Sequence, residues 1–346
     1  MIRVGIIGAT GYAGIELVRL LTQHPEVKLT HLVSHSYVGQ DVAGIYKNFK
    51  GILSKDLEDM DLDVLAKECD VVFTSLPHAT SSEVIPKLVG AGVKVIDLSA
   101  DYRYNSAAVY EAWYGVPHPD PALLAQSVYG LPELHREQIK GAQLVGNPGC
   151  YTTCSILGLY PLLQAGLVSP ENIIVDAKSG VTGAGRNPSA NTHFCEVDES
   201  MKAYNVAKHR HTSEIEQELS LAAGQEVLIS FTPHLIPMKR GILSTMYANL
   251  TGAYSHADLM AAYKKAYGDE SFIVLHEEGS LPEVKFVNGS NYCHIGFVVD
   301  QRLKRVVVVS VIDNLVKGAA GQAVQNMNLL FGLPENTALS APGWYL

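Results

Sequence analysis

The stretch "IRVGIIGATGYAGIELVRLL" (residues 2–21) constrains this chain most. A short apolar run ends in a glycine loop, and an amphipathic segment follows at once. Ile15, Val18 and Leu21 recur at helical spacing, with Leu17 and Leu20 beside them, and Pro25 marks the end. Gly8, Gly11 and Gly14 stand as G-x-x-G-x-x-G between strand and helix. Glycines in that position permit a tight turn and the close approach of a pyrophosphate. The amides at the helix N-terminus then stabilise its charge. Strand, glycine loop and helix in this order point to a dinucleotide-binding βαβ unit.

Further strands follow the first. "VKLTHLVS" reads as the second, "CDVVFTSLP" (69–77) as the third, "VKVIDLS" (93–99) as the fourth and "AQLVGN" (142–147) as the fifth, with helical segments such as "SSEVIPKLVGAG" between them. This alternation predicts an α/β, Rossmann-like, doubly wound parallel sheet. After a helix over 150–165 the pattern changes. "EVLISFTPHLIPM", "GILSTMYANL", "FIVLHE", "YCHIGFVVD" and "RVVVVSVI" read as longer strands, with helical pieces at 212–223 and 256–267. They predict a second, α+β domain with a mostly antiparallel sheet. A last amphipathic helix, predicted to begin near Asn314, returns to the first domain. The expected division is 1–148 plus 315–346 for the dinucleotide, and 149–314 for catalysis, substrate and oligomerisation.

Composition agrees with two such domains. The chain has 346 residues, 47% hydrophobic and 18% charged, enough to bury a substantial core. A net charge of −9 argues against broad nucleic-acid binding, which wants a basic face. No apolar run of about 18 residues is present, so no membrane span is expected. The start, "MIRVGIIG", carries no secretory signal pattern. Five widely spaced cysteines (69, 150, 154, 195, 293) do not form a disulfide framework, and a reducing cytoplasm is the expected setting.

The loop after the second strand bears on the cofactor. NAD sites place an acid there to hold the ribose 2′-hydroxyl. Here "VSHSYVGQ" (33–40) has no acid but has Ser34, His35 and Ser36. That leaves room for a 2′-phosphate and favours NADP(H), although the usual arginine is missing.

Cys150 follows Pro148 and Gly149 at the start of the 150–165 helix. Amides at a helix N-terminus favour the thiolate form of a cysteine placed there. Cys154 lies one turn deeper and reads as a buried hydrophobe. No ligand set accompanies the two, so no metal site is expected. A nucleophilic cysteine needs an acid–base partner. "KHRHTSEIEQEL" (208–219) offers His209 and His211 ahead of a helix. Ser213 with Glu216 matches a capping box, and Glu214 is close enough in sequence to orient an imidazole.

At this point the chain resembles a known family. "GATGYAGIELVRLL", "SLPHATS", "DLSADYRY", "YGLPEL", "NPGCYTT", "SGVTGAGR", "HRHTSEI", "PHLIPMKRGI" and "DNLVKGAAGQAVQNMN" occur in that order from residue 8 to residue 328. Together they resemble the N-acetyl-γ-glutamyl-phosphate reductases of arginine biosynthesis, relatives of the aspartate-semialdehyde dehydrogenases. The resemblance implies an NADP-dependent reduction of a small-molecule acyl phosphate through a cysteine thioester, in a cytoplasmic homodimer or homotetramer. It implies Cys150 as nucleophile and His211 as acid–base residue. Arg103, Asn147, Ser179, His209 and Arg210 are implied at the substrate. Gly8, Thr10, Gly11, Tyr12, Ala13, Gly14, Ser34, Ser36, Ser75, Pro77, Gly180, Gly183 and Asn314 are implied at the cofactor, Asn314 through the nicotinamide carboxamide. The nearest alternative is a related reductase acting on aspartyl phosphate or carrier-bound aminoadipyl phosphate.

Overall fold

A computed structural model describes residues 1–345. The chain divides into two compact units. Unit 1 is Met1–Pro148 with Ala319–Ser340, and unit 2 is Gly149–Gly318 with the residues from Ala341 onward.

Unit 1 runs β1 (Ile2–Ile7), α1 (Tyr12–Thr22), β2 (Val27–Val33), α2 (Val42–Ile45), α3 (Leu62–Glu68), β3 (Val71–Thr74), α4 (Ser81–Gly90), β4 (Lys94–Asp97), α5 (Ala107–Tyr114), α6 (Pro121–Leu124), β5 (Val128–Tyr129), α7 (Pro132–Lys140) and β6 (Leu144–Gly146). The strands lie in the order β2-β1-β3-β4-β6-β5, all parallel. Val71, Val72, Phe73 and Thr74 of β3 are all buried, the continuous burial expected of a central parallel strand. Strand order reverses direction at β1 and β3, and the glycine loop leaves β1 at this switch point, where such sheets bind ligands. The two-residue β5 is a sixth strand that no hydrophobic pattern announces.

Unit 2 runs α8 (Cys150–Gln164), β7 (Ile173–Ser179), α9 (Phe194–Val197), β8 (Lys202–Ala203), α10 (His211–Ala223), β9 (Ile229–Leu235), β10 (Ile242–Asn249), α11 (His256–Tyr267), β11 (Ile273–Leu275), β12 (Cys293–Asp300) and β13 (Arg305–Ile312). Its sheet has the order β11-β12-β13-β10-β7-β9-β8. Only β11–β12 and β7–β9 pair in parallel, so the sheet is mixed but mainly antiparallel. Ile242, Ser244, Met246 and Ala248 of β10 are buried, while their alternate neighbours are half-exposed. One face of this sheet is therefore covered and the other more open.

The covering helix is α8, buried nearly all round, as its apolar sequence requires. Pro161 within it has no N–H, which leaves the Leu157 carbonyl without its helical donor. The Tyr267 hydroxyl of α11 donates to that carbonyl at 2.9 Å, and the Tyr263 hydroxyl to Gly158 O at 2.6 Å.

The last helix starts later than expected. Asn314 lies in a turn, Val316–Ala320 form a π-helical turn, and α12 (Gly321–Leu330) follows in unit 1. A wide turn keeps the apolar spacing of a helix, so periodicity alone merges the two. The expected boundary at 315 correspondingly differs from the observed one at 319, and the residues from Ala341 onward belong to unit 2 rather than unit 1.

Candidate active site

In unit 1 the site is the glycine loop. Gly8 has φ +84°, in the left-handed region, and a Cβ there would come within 3.0 Å of the Ser75 carbonyl carbon. A Cβ on Gly14 would come within 2.9 Å of Ala9 Cα. Gly11 caps α1 without a side-chain hydrogen bond, and no acid stands in the first turn. This bare, positively polarised helix start fits the pyrophosphate of a dinucleotide. Tyr12 and Ala13 open the same helix.

The Thr10 and Ser34 hydroxyls lie 2.9 Å apart and both residues are buried, so Ser34 fastens the loop to the end of β2. His35 and Ser36 are exposed. Ser75 follows β3, half-buried, with Pro77 exposed beyond it. Buried Asp101 fixes this loop by accepting from Ala79 N at 2.9 Å, Ser82 N at 3.1 Å and the Tyr110 hydroxyl at 3.0 Å.

Arg103 and Asn147, both expected at the substrate, lie in unit 1. Arg103 donates through Nε to Asn147 O at 2.6 Å and through Nη2 to Leu98 O at 2.9 Å, and it is only 7% exposed. These donors buttress the main chain ahead of Pro148. Asn147 donates through Nδ2 to Ala319 O at 3.1 Å and accepts at Oδ1 from Asn326 Nδ2 at 3.1 Å. Its amide is a buried joint.

In unit 2 the site gathers around the start of α8. Cys150 is the first helical residue and is half-buried. α10 approaches this start with its own first turn. A Cβ on Gly149 would lie 2.7 Å from His211 Cε1, so the imidazole packs directly on the residue before Cys150. Glycine is required there because the ring occupies the space. The Glu214 carboxylate, wholly buried, accepts from Gly149 N at 2.9 Å and from Thr152 Oγ1 at 2.9 Å. Glu214 anchors the cysteine helix by these two bonds. The capping box is absent. α10 starts earlier than that motif requires, with Arg210 at the N-cap, so Ser213 lies inside the first turn and donates back to Arg210 O, while Glu216 accepts from Ile229 N at 3.0 Å.

His209 and His211 are not equivalent. His209 is ringed by Tyr151, Tyr204, Phe231 and His211, with centroids 4.7–5.6 Å away. Burial first, then neighbouring His211 and Arg210, push its pKa down to about 3. Its Nδ1 accepts from His211 N at 3.1 Å, so the neutral ring carries its proton on Nε2. Tyr151 donates to His234 O at 3.1 Å and accepts from the Tyr204 hydroxyl at 3.2 Å. Burial pushes the Tyr151 phenol well above its ordinary range. Arg210, half-buried, stands at the N-cap of α10.

The loop after β7 is laced onto the segment 238–241. Val181 N donates to Met238 O at 2.9 Å and Thr182 N to Lys239 O at 3.1 Å. Gly180 has no room for a Cβ, which would sit 2.7 Å from Arg240 N. Ser179 is buried and donates to Gly180 O at 3.0 Å, with Gly183 folded over it. Asn314 accepts from Gly241 N at 2.8 Å and donates to Thr182 Oγ1 at 3.0 Å. Its amide ties these loops together. Gly318 completes the surroundings of the thiol: a Cβ there would lie 2.8 Å from Cys150 Cβ. Cys154 is wholly buried, donates to Ser310 O at 3.2 Å, and has its pKa raised to about 11 by burial.

A parallel sheet with a glycine loop, followed by a mixed-sheet unit that opens on a cysteine helix, defines the semialdehyde dehydrogenase class. Two family profiles agree: "Semialdehyde dehydrogenase, NAD binding domain" over residues 3–142 and "Semialdehyde dehydrogenase, dimerisation domain" over residues 150–314. The chain belongs to the N-acetyl-γ-glutamyl-phosphate reductase family. It is 57% identical to the reductase of that name from Acetivibrio thermocellus, covering all of both chains. It is 54% identical to that from Symbiobacterium thermophilum, over 99% of this chain and 98% of the other. Among solved structures, an aspartate semialdehyde dehydrogenase with NADP from Candida albicans shares the fold. The TM-score is 0.73 at 16% identity, over 97% of this chain and 99% of that one. One from Vibrio cholerae has a TM-score of 0.72 at 19% identity, covering 96% and 98%.

Proposed function

We propose that this protein reduces N-acetyl-L-glutamyl 5-phosphate to N-acetyl-L-glutamate 5-semialdehyde and phosphate with NADPH, in arginine biosynthesis. The supporting observation is 57% identity over the whole chain to a reductase of that name, joined to a cysteine that opens a buried helix beside His211. The Cys150 thiolate attacks the acyl-phosphate carbonyl, and phosphate leaves with the electron pair of the broken C–O bond. The resulting thioester is a better hydride acceptor than a carboxylate. When bound, reduced nicotinamide supplies that hydride. His211 donates a proton as the thiohemiacetal forms, and collapse releases the aldehyde and regenerates Cys150. His209, neutral and walled by aromatic rings, shapes the pocket and sets the position of His211 N. A coupled assay tests the reading. N-acetylglutamate semialdehyde, phosphate and NADP should generate NADPH absorbance. Equal or faster turnover of aspartate semialdehyde would overturn the substrate assignment.

The exposed Ser36, in a loop without an acid, supports NADP over NAD. Ser36→Asp should raise the KM for NADPH by about tenfold, because a carboxylate repels the 2′-phosphate, and spare activity with NADH. An unchanged KM would move the phosphate elsewhere.

Five cysteines outside any disulfide and a thiol-dependent reaction favour the cytoplasm. Among the described residues, no helix is long and apolar enough to cross a membrane. The open face of the unit 2 sheet supports a homo-oligomer. Ile174, Tyr247, Val307 and Val298 pair across β7, β10, β13 and β12 as one accessible row. Tyr247→Glu should shift sedimentation to the monomer. A wild-type chain that sediments as a monomer would contradict this contact.

A further inference from the structure

Residues Gly343–Tyr345 lie far along the chain from Cys150, yet a continuous set of contacts within unit 2 joins them. Trp344 N donates to Asn288 O at 2.7 Å. Its indole fills the space over Gly289, which has φ +80° and where a Cβ would lie 2.7 Å from the ring. Tyr345 stacks on Phe286 at 6.2 Å, docking the same segment on the 284–289 turn. The Arg240 guanidinium stands over the Trp344 ring at 5.7 Å, a cation–π distance.

Both parts touched by Trp344 converge on Asp313, which is wholly buried. Asp313 Oδ2 accepts from Gly289 N at 2.7 Å and lies 3.2 Å from Arg240 Nε. Asp313 Oδ1 accepts from Leu315 N at 2.8 Å and Val316 N at 3.1 Å. Its main-chain carbonyl accepts from Gly318 N at 2.9 Å. One carboxylate thus pins the entry to the π-helical turn whose Gly318 presses on Cys150 Cβ. π-turns of this kind recur at functional positions because they aim the backbone where a regular helix does not.

We propose that Trp344 and Arg240 are positioning residues for Cys150, acting through Asp313 and the turn at Gly318. Arg240 balances a wholly buried carboxylate, and Trp344 holds Arg240 and Gly289 against it. Loss of the indole frees Arg240 and the 284–289 turn. Asp313 then shifts, and with it the wall behind the thiol. Small misplacements of a reacting group lower kcat with little effect on substrate affinity. The proposal rests on Cys150 as nucleophile, and that reading fails separately if Cys150→Ala keeps activity.

The test uses the full chain, steady-state kinetics, and iodoacetamide labelling followed cysteine by cysteine by mass spectrometry. In Trp344→Ala, kcat should fall by about tenfold while the acyl-phosphate KM stays within about twofold. The rate and pH profile of Cys150 labelling should change, and that of exposed Cys195 should not. Trp344→Phe should restore most of the activity. Arg240→Met should reproduce Trp344→Ala, and the double variant should be little worse than either, as expected of residues on one line of contacts. Wild-type kcat and Cys150 labelling in Trp344→Ala would overturn the proposal. So would labelling of Cys154 and Cys293, which are wholly buried, because the indole would then be holding the fold rather than the thiol.

Discussion

Cys150→Ala is expected to abolish reductase turnover, lowering kcat by at least about 10⁴-fold. The reason is chemical rather than structural. The reaction passes through a covalent acyl group on sulfur, and Cys150 is the thiol that opens the buried helix α8 beside His211. Cys154 lies one turn further along α8 with its thiol on Ser310 and its pKa raised to about 11. Cys69 and Cys293 are buried, and Cys195 is exposed on a segment outside the constellation. The substitution removes one half-buried sulfur, and the glycine loop of unit 1 stands intact. NADPH binding, followed by fluorescence titration, should therefore stay within about twofold of wild type. Measurable single-turnover reduction by the alanine variant would exclude the thioester route.

The second large effect is expected at His211. His211→Asn should cut kcat by about a hundredfold or more, the usual loss when a general acid–base residue is removed. His209→Asn provides the contrast. With its pKa near about 3, His209 is already neutral across the working range, and nothing in the rate profile between about pH 5 and pH 9 reports its titration. Its loss should lower activity through packing, by a smaller factor, and leave the shape of the pH–rate profile unchanged. A His209 variant that flattens the profile while His211→Asn preserves it would reverse the two roles.

Much of this was legible in the residues. The glycine loop and the parallel strands are written in local pattern: glycine spacing, apolar runs, helical periodicity. The start of α8 at Cys150 is written the same way, by Pro148 and Gly149. What the pattern does not carry is the choice of partner by side chains able to bond in several directions. Asn147 was expected at the substrate, but its amide meets Ala319 and Asn326, 172 and 179 residues away. Asn314 meets Gly241 and Thr182, 73 and 132 residues away. Ser213 and Glu216 match a capping box by spacing, yet Ser213 bonds back to Arg210 O within the helix entry and Glu216 is taken by Ile229 N, 13 residues away. Glu214 stood out only by its place near the two histidines, and its bonds to Gly149 N and Thr152 Oγ1, 65 and 62 residues away, carried no local signal. Asp313, Thr152 and Gly318 carried no signal beyond their place next to recognisable motifs.

The first turn of α10 presents His211 and Glu214 three residues apart, one against Gly149 and the other bonded to it. The proposed nucleophile and acid–base residue are thereby referenced to a single helical turn. Their mutual arrangement is completed when unit 2 folds, before any acyl phosphate arrives. The orientational entropy of bringing them together is then a cost of folding, and the substrate's binding energy is left for its own alignment. Thermal loosening of α10 should consequently disable the pair as one part, with no intermediate in which the thiol remains and the imidazole has wandered off.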